Sequence, residues 1–275
     1  MGGHLRFVKM QGAGNDYVYL DGIRDPIPVE TAAALAARLA DRHFGIGGDG
    51  LILLAPSAVA DLRMLMWNAD GSRGAMCGNG LRCLARLGHD HGHVRGPLVR
   101  VETDSGVFDV TLVAGPAGRV TGARVPMPGA CIAREAEPVE IGGRTWSYHR
   151  GSVGNPHAVV FVDGPLEAVP VAEVGAAFQR LAAFPDGVNV EFVRAEPPRI
   201  LHQRTFERGS GETLACGSGA TVAALCALEL GRLDGPAVEV RLRGGSLTIR
   251  RREDGSVEME GPAVRVFEGR IELGT

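Results

Sequence analysis

Lysine is almost missing from this chain: Lys9 is the only one, and every other member of the 29 basic residues is arginine. A pyridoxal enzyme needs a lysine to hold its cofactor as a Schiff base. Lys9 lies in the strand-like run Leu5-Arg6-Phe7-Val8-Lys9-Met10, far in sequence from any loop that could cradle a phosphate, which argues against that chemistry. A disulfide framework is lacking too. Cys77, Cys83, Cys131, Cys216 and Cys226 are odd in number and form no C-x-x-C pair, so a reducing cytoplasm is the expected setting. No cysteine–histidine group has zinc-ligand spacing, and His89, His91 and His93 read as a polar surface loop, so no metal site is expected. No apolar run approaches the roughly 18 residues of a membrane span, and Met1 to Arg6 has no signal-peptide core. The net charge of −3, with signs interspersed, gives no reason to expect nucleic acid or an anionic membrane as a partner.

What the chain does have is a repeated cysteine device. In Glu207-Arg208-Gly209-Ser210-Gly211-Glu212-Thr213-Leu214-Ala215-Cys216-Gly217-Ser218-Gly219, a cysteine stands between a glycine-rich loop and the apolar run Ala220 to Leu230, which reads as a helix ended by Gly231. Unpaired amides and the positive end of a helix dipole favour a thiolate there, and equally a bound anion. A lone C-G-x-G is more often a small apolar cysteine under a turn. Here the device recurs as Cys77-Gly78-Asn79-Gly80, before a helix expected to end at Gly88. The offset of 216 − 77 = 139 residues persists from Asn68 to Glu207 and from Gly106 to Gly245. Upstream, Asn15 maps to Asn155 at 155 − 15 = 140. An internal duplication follows, and two halves about a pseudo-two-fold would bring two cysteine-bearing helix starts to one cleft.

Along the chain, strands are expected over Leu5 to Met10 and Tyr17 to Leu20, a helix over 31–42, and strands at 51–54 and 63–67. Phe44-Gly45-Ile46-Gly47-Gly48-Asp49-Gly50 satisfies G-x-G-x-x-G, but a helix precedes it and a strand follows, the reverse of a dinucleotide fingerprint. The second half repeats the plan with a strand at 158–162, a helix at 172–183 and strands at 188–193 and 200–206. This predicts an α+β fold of two similar halves, each a mixed sheet wrapped on a central helix, with the active site in the cleft between them. The halves are expected at 1–125, onto which about 264–275 packs back, and at 126–263.

The motifs Lys9 to Asp16, Asn68 to Ser72, Cys77 to Gly80, Gly154 to His157 and Glu207 to Gly219 together resemble diaminopimelate epimerase over nearly the whole chain. The resemblance implies a cofactor-independent epimerase that interconverts LL- and meso-diaminopimelate on the route to lysine and peptidoglycan. It implies Cys77 and Cys216 as the acid–base pair, with Gly78, Asn79, Gly217 and Ser218 at the reacting carboxylate. Asn15, Asn68, Asn155, Asn189, Glu207 and Arg208 would line the substrate site, and His157 and Glu207 would tune the thiols. Two departures stand out: Gly50, where the family sometimes has glutamine, and Arg73, where an acidic residue often follows the turn. Inverting a stereocentre needs one group to remove the α-proton and another to deliver one to the opposite face, and paired cysteines supply both. A racemase for a proline- or histidine-type substrate and a non-catalytic binding module are the competing readings. The expected partner is a small amino acid, and a homodimer is compatible with the sequence.

Overall fold

The structure is a computed structural model that describes residues 4–272; Met1-Gly2-Gly3 of the amino-terminal reading lie outside the described residues. The chain divides into two compact units, Met1–Val125 with Gly261–Thr275, and Pro126–Glu260.

The first unit opens with β1 (His4–Gly12) and β2 (Asn15–Asp21), followed by α1 (Val29–Ala40), β3 (Gly50–Ala55), β4 (Leu62–Asn68) and the short β5 (Arg73–Gly74). Then come α2 (Gly78–Asp90), β6 (Leu98–Thr103), β7 (Gly106–Ala114) and β8 (Val120–Met127). β1 and β2 form an antiparallel hairpin closed by Gly12 opposite Asn15. Its two loop residues, Ala13 (φ 54) and Gly14 (φ 84), both lie in the left-handed region, as the twist of a two-residue hairpin demands. Ala13 is the single non-glycine residue with positive φ among the described residues; strain of this kind persists only where the surroundings hold it. α1 then carries the chain over to β3, which pairs parallel with β2, and β4 pairs antiparallel with β3 and parallel with β6.

The second unit is assembled from β9 (Cys131–Ile132), β10 (Glu137–Ile141), β11 (Arg144–Ser152), β12 (Pro156–Phe161), α3 (Val171–Phe178), β13 (Asn189–Glu196) and β14 (Ile200–Glu207). It continues with β15 (Gly211–Thr213), α4 (Gly217–Glu229), β16 (Ala237–Leu242), β17 (Gly245–Arg251) and β18 (Val257–Pro262). The chain's last strand, β19 (Val264–Glu272), pairs antiparallel with β1 in the first unit.

Each unit follows the same plan, a mixed sheet with few helices. The parallel pair β2–β3 has Tyr17 opposite Gly50, and its counterpart β12–β13 has His157 opposite Asn189. The offset is thus 157 − 17 = 140 on the first strand and 189 − 50 = 139 on the second, which places a one-residue length change in the α1/α3 connection. Within these connections the helices differ by more, α1 having 12 residues and α3 having 8.

Both cysteine helices run 13 residues. α2 packs against β1, β2, β3, β4, β6 and β7, and α4 against strands of its own unit from β9 to β17. Several helix ends differ from the sequence reading. α1 covers Val29–Ala40 rather than 31–42, and α3 stops at Phe178 rather than near 183. α2 does not stop at Gly88; a Cβ there would overlap Leu62 Cδ1, so that glycine serves packing inside the helix. The chain reverses instead at Gly92 (φ 77), which matches Gly231 (φ 66) after α4, since 231 − 92 = 139. A separate core serves each unit: the strand residues Val18, Leu20, Leu51 and Leu53 pack with α1 in the first, and Trp146, Val160, Phe178 and Phe192 pack together in the second.

Candidate active site

Cys77 is the N-cap residue of α2, with φ −136 and ψ 120, and its Sγ accepts a hydrogen bond from the Gly80 amide at 3.5 Å. The extended backbone at the cap leaves first-turn amides without helical carbonyls to bond. The thiol also donates to Asn15 Oδ1 at 3.3 Å, and Asn15 Nδ2 in turn donates to Asp49 Oδ2 at 2.6 Å. The strained β1–β2 turn therefore delivers Asn15 to the sulfur. Next in the helix, Asn79 is buried, and its Oδ1 accepts from Arg82 Nη2 at 2.6 Å. Arg82 is fully buried, reaches the Pro262 carbonyl through Nε at 3.3 Å, and its Nη1 has no hydrogen-bond partner among the described residues. Burial makes this guanidinium hold its proton less tightly than usual, with the Cys83, Cys77 and Tyr19 groups opposing. Tyr17 lies against the same thiol; burial first, then Cys77, push its phenol well up.

Cys216 is the N-cap of α4 at φ −132 and ψ 113, and is 5% exposed where Cys77 is half-buried. Its Sγ lies 3.4 Å from Ser218 Oγ. Burial raises this thiol well above the ordinary range, and the Glu207 and Glu191 carboxylates push in the same direction. Glu207 accepts from Thr213 Oγ1 at 2.6 Å; burial raises its own carboxyl, and the Thr213 bond resists. His157 Nδ1 is 2.9 Å from Glu191 Oε1, both side chains are fully buried, and His157 Nε2 is 3.2 Å from Asn155 Oδ1. Glu191 Oε2 has no hydrogen-bond partner among the described residues. Asn189 Oδ1 accepts from the Arg208 amide at 2.9 Å, and the exposed Arg208 side chain donates from Nη1 to the Asp186 carbonyl at 3.1 Å. No ion pair joins Arg208 to Glu207 among the described residues. A cavity of about 450 Å³ in this unit is walled by His157, Pro156, Asp186 and Gly187 among others. The smaller one in the first unit, about 220 Å³, contains neither cysteine.

Position by position, the repeat is symmetric in backbone and asymmetric in charge. Ile52 in the first unit stands where Glu191 does in the second (191 − 52 = 139), Tyr17 where His157 does, Asn68 where Glu207 does, and Arg82 where Thr221 does. The helix glycine facing that first position is Gly80 in one unit and Gly219 in the other. A Cβ at Gly80 would meet Ile52 Cδ1 at 2.6 Å, and at Gly219 it would overlap Glu191 Oε1. One thiol thus sits among neutral groups and a buried cation, the other among carboxylates.

Residues 7–120 and 151–266 match the sequence model of the family described as diaminopimelate epimerase. The diaminopimelate epimerase of Leptospira biflexa is 39% identical over 98% of this chain and 99% of its own length. That of Desulfovibrio desulfuricans is 43% identical over 96% and 97%. The chain belongs to the diaminopimelate epimerase family. Among solved structures, a phenazine biosynthesis protein of the PhzF family from Bacillus anthracis superposes with a TM-score of 0.77 over 98% of this chain and 99% of its own, at 17% identity, which shows a shared fold.

Gly50 and Arg73, the two positions singled out in the sequence, have physical accounts. Gly50 stands opposite Asn68 in the β3–β4 ladder. A Cβ there would overlap the Trp67 carbonyl and come within 3.1 Å of the Asn68 Cα, so the position has no room for a side chain. Arg73 pairs with Asp104 at 2.7 Å and stacks over the Trp67 ring at 4.7 Å. Asn68 is exposed and bonds within its own turn, donating to Ser72 Oγ at 3.0 Å. Lys9 is buried and paired with Asp16 at 2.5 Å and with the Gly47 carbonyl.

Several residues in contact with the site were missed from sequence: Tyr17, Asp49, Arg82, Glu191 and Thr213. Glu191 and Arg82 carried a signal, since each breaks the repeat by placing a charge opposite a neutral partner. The histidine reading needs correction. His91 and His93 are not a solvated loop; each is partly buried and bonded to Asp21, at 2.6 and 2.7 Å. The αL turn at Gly92 points both inward.

Proposed function

We propose that this chain interconverts LL- and meso-diaminopimelate without a cofactor, by proton transfer between two thiols, one from each unit. The observation that carries the reading is the recurrence of an N-capping cysteine on equivalent helices in a member of this family. Each unit's sheet wraps its cysteine helix, the units dividing at 125/126 with the carboxy-terminal strand in the first, so both helix starts present a sulfur and a set of free amides. Cys77 and Cys216 act on opposite faces of the α-carbon. One takes the α-proton and the other returns one, and the two exchange states at every turnover.

The charge asymmetry bears on Cys216: burial and the Glu207 and Glu191 carboxylates make it hold its proton, which suits it to deliver a proton to one face of the α-carbon. Amides of Gly78, Asn79, Gly217 and Ser218 at the two helix starts stabilise the charge that gathers on the carboxylate as the α-carbon flattens. Each positioned acid or base contributes about 10²–10⁴-fold, and the amides supply much of the remainder. Asn15, Asn68, Asn155, Asn189, Glu207 and Arg208 bind the substrate; the Arg208 guanidinium suits the distal carboxylate, which it can grip through two N–H groups. His157 acts through Glu191, and Glu207 acts directly, on the proton affinity of Cys216.

The setting is cytoplasmic, in the supply of lysine and peptidoglycan precursors, with no nucleic-acid or membrane partner and with a homodimer as a compatible assembly; among the described residues no helix is long and apolar enough to cross a membrane. Purified protein incubated with LL-diaminopimelate, with no pyridoxal phosphate or metal added, is expected to yield the meso isomer. Failure to form it, or faster turnover of a proline-type substrate, overturns the reading.

A further inference from the structure

At the far end of α2 from Cys77, three side chains with metal-binding atoms converge. His91, the C-cap of α2, has Nδ1 2.6 Å from Asp21 Oδ2, and His93 Nε2 is 2.7 Å from the same oxygen. The three ligand atoms lie within 4.8 Å of one another. The side chains are 12%, 15% and 6% exposed for His91, His93 and Asp21, so this is no solvated charge cluster.

Local structure fixes the group. The His93 amide bonds the Gly88 carbonyl at 2.9 Å and the Gly92 amide bonds His89 at 3.0 Å, closing the end of α2 in the manner of a Schellman motif with glycine in the αL position. That turn puts two imidazoles, separated by one residue, on the same side. Asp21 ends β2, and its Oδ1 accepts from the Ile23 and Arg24 amides at 3.1 and 3.0 Å. The carboxylate is thereby oriented by its outer oxygen while Oδ2 faces the histidines, the supporting contact a metal-binding carboxylate needs. Helix carbonyls at this end carry partial negative charge, which favours a cation. The cavity of about 220 Å³ lined by Asp21, His91 and Tyr19 gives solvent a way in.

The second unit shows that capping the helix does not require these ligands. Its equivalent turn has Leu230, Gly231 and Arg232, closed by the same backbone bonds, the Arg232 amide to the Ala227 carbonyl at 2.9 Å and the Gly231 amide to Leu228 at 3.1 Å. At the position of Asp21 stands Phe161 (161 − 21 = 140), and Arg232 packs over its ring at 4.3 Å. One unit secures the helix end by stacking; the other has three ligand groups at the same three positions.

The geometry points to a binding site for a divalent transition ion of the zinc class, held by Asp21, His91 and His93 with solvent in the fourth position. Two imidazoles and one carboxylate are a ligand set zinc accepts with an open position. Zinc bonds of about 2.0–2.1 Å at tetrahedral angles put ligand atoms about 3.3 Å apart, so the two His–Asp21 separations of 2.6 and 2.7 Å lengthen by a fraction of an ångström as the metal enters, each ring proton passing to the other nitrogen of its imidazole. The site is independent of the thiols and of the epimerase reading.

The test uses the full-length protein, stripped with EDTA and dialysed free of chelator, then titrated with cobalt(II) chloride and, separately, zinc chloride. One equivalent per chain is expected, with the visible absorption of four-coordinate cobalt and no thiolate-to-cobalt charge-transfer band. The substitutions His91→Leu and His93→Arg import the second unit's residues and so keep the helix end foldable, and Asp21→Asn keeps the turn acceptor. Each should weaken zinc by at least the 10–100-fold that even outer partners of a metal site are worth and should remove the zinc-induced rise in melting temperature. Cys77→Ser and Cys216→Ser should bind cobalt as the parent does. No bound equivalent, binding that survives both histidine substitutions, or a cobalt spectrum lost in the cysteine variants overturns the proposal.

Discussion

Substituting Glu207 by glutamine removes one negative charge beside Cys216 while keeping the side chain's shape and an oxygen for Thr213 Oγ1, now 2.6 Å from the carboxylate. Burial raises the Cys216 thiol, and Glu207 is the larger of the two charges that add to it. Two unit charges about 5 Å apart at an effective dielectric near 20 interact by about 3 kcal/mol; residual solvent and the charge of Glu191, which stays, reduce what the substitution removes to about 1–2 kcal/mol. The sign is unambiguous: an anion that disfavours the thiolate is gone, so the thiol gives up its proton at lower pH. In a Cys77→Ser background, alkylation of Cys216 by iodoacetamide, mapped by mass spectrometry across alkaline pH, should show its inflection displaced downward. Burial itself is unchanged, so the inflection should stay above that of a free thiol. An inflection that does not move, or moves upward, refutes the account of how this thiol is held protonated.

Run in deuterated water at low conversion, the two-thiol mechanism places deuterium at the inverted carbon of the product while unreacted substrate stays protiated, and Cys77→Ala and Cys216→Ala should each cost at least about 10²–10⁴-fold in epimerisation; product that retains substrate protium, or one dispensable cysteine, would falsify it. Alkaline stability should fall through the remaining buried thiols. Burial raises Cys83 to about 11 and Cys226 to about 12 from 9.0; their stabilising share is full below the unfolded value and is lost as pH climbs from about 9 through 11 and 12. Urea denaturation under reductant should therefore lose up to about 1.4 kcal/mol per pH unit for each thiol in that window, and Cys226→Ala should flatten the decline. Gly219→Ala should cost more than Gly80→Ala in chemical denaturation. Both gain about 1 kcal/mol of helix propensity, but the first drives a methyl into a fixed carboxylate and the second into the movable end of Ile52, overpacking being worth about 1–3 kcal/mol. Arg82→Met should leave Asn79 without its donor and lower kcat more than it raises KM, measured by steady-state kinetics; unchanged kcat would separate Arg82 from the chemistry.

Much of this was legible because repetition is a strong signal. The spacing from Cys77 to Cys216 located both cap residues, and period and glycine placement located both helices and most strands. What was illegible was set by tertiary contact. Gly88 looks like a stop, yet it lies mid-helix because Leu62 leaves no room for a side chain; the true reversal at Gly92 was hidden among histidines. α3 ends early because the apolar spacing of 179–183 continues in a turn stabilised by Gln179, whose amide bonds the Gly175 and Val188 carbonyls. The full burial of Arg82 depends on tertiary contact, its guanidinium held by Asn79 and the Pro262 carbonyl. Glu191 sits in a strand whose neighbours Val190 and Phe192 are fully buried, and only the fold reveals His157 beside it.

The pairing of β19 with β1 has a consequence for how the molecule is made. Residues 126–260 emerge from the ribosome as one uninterrupted segment and can close their own core while synthesis continues. The first unit, though begun earlier, leaves β1 as an open edge bearing Leu5 and Phe7 until the last strand arrives, and open edges recruit other chains. The half translated first is therefore the half completed last. A nonsense change at Val264, just past the second unit and at the start of the last strand, should give a product that aggregates with its second unit intact, whereas joining the β19 segment ahead of β1 by circular permutation should let the two units mature in the order in which they are written.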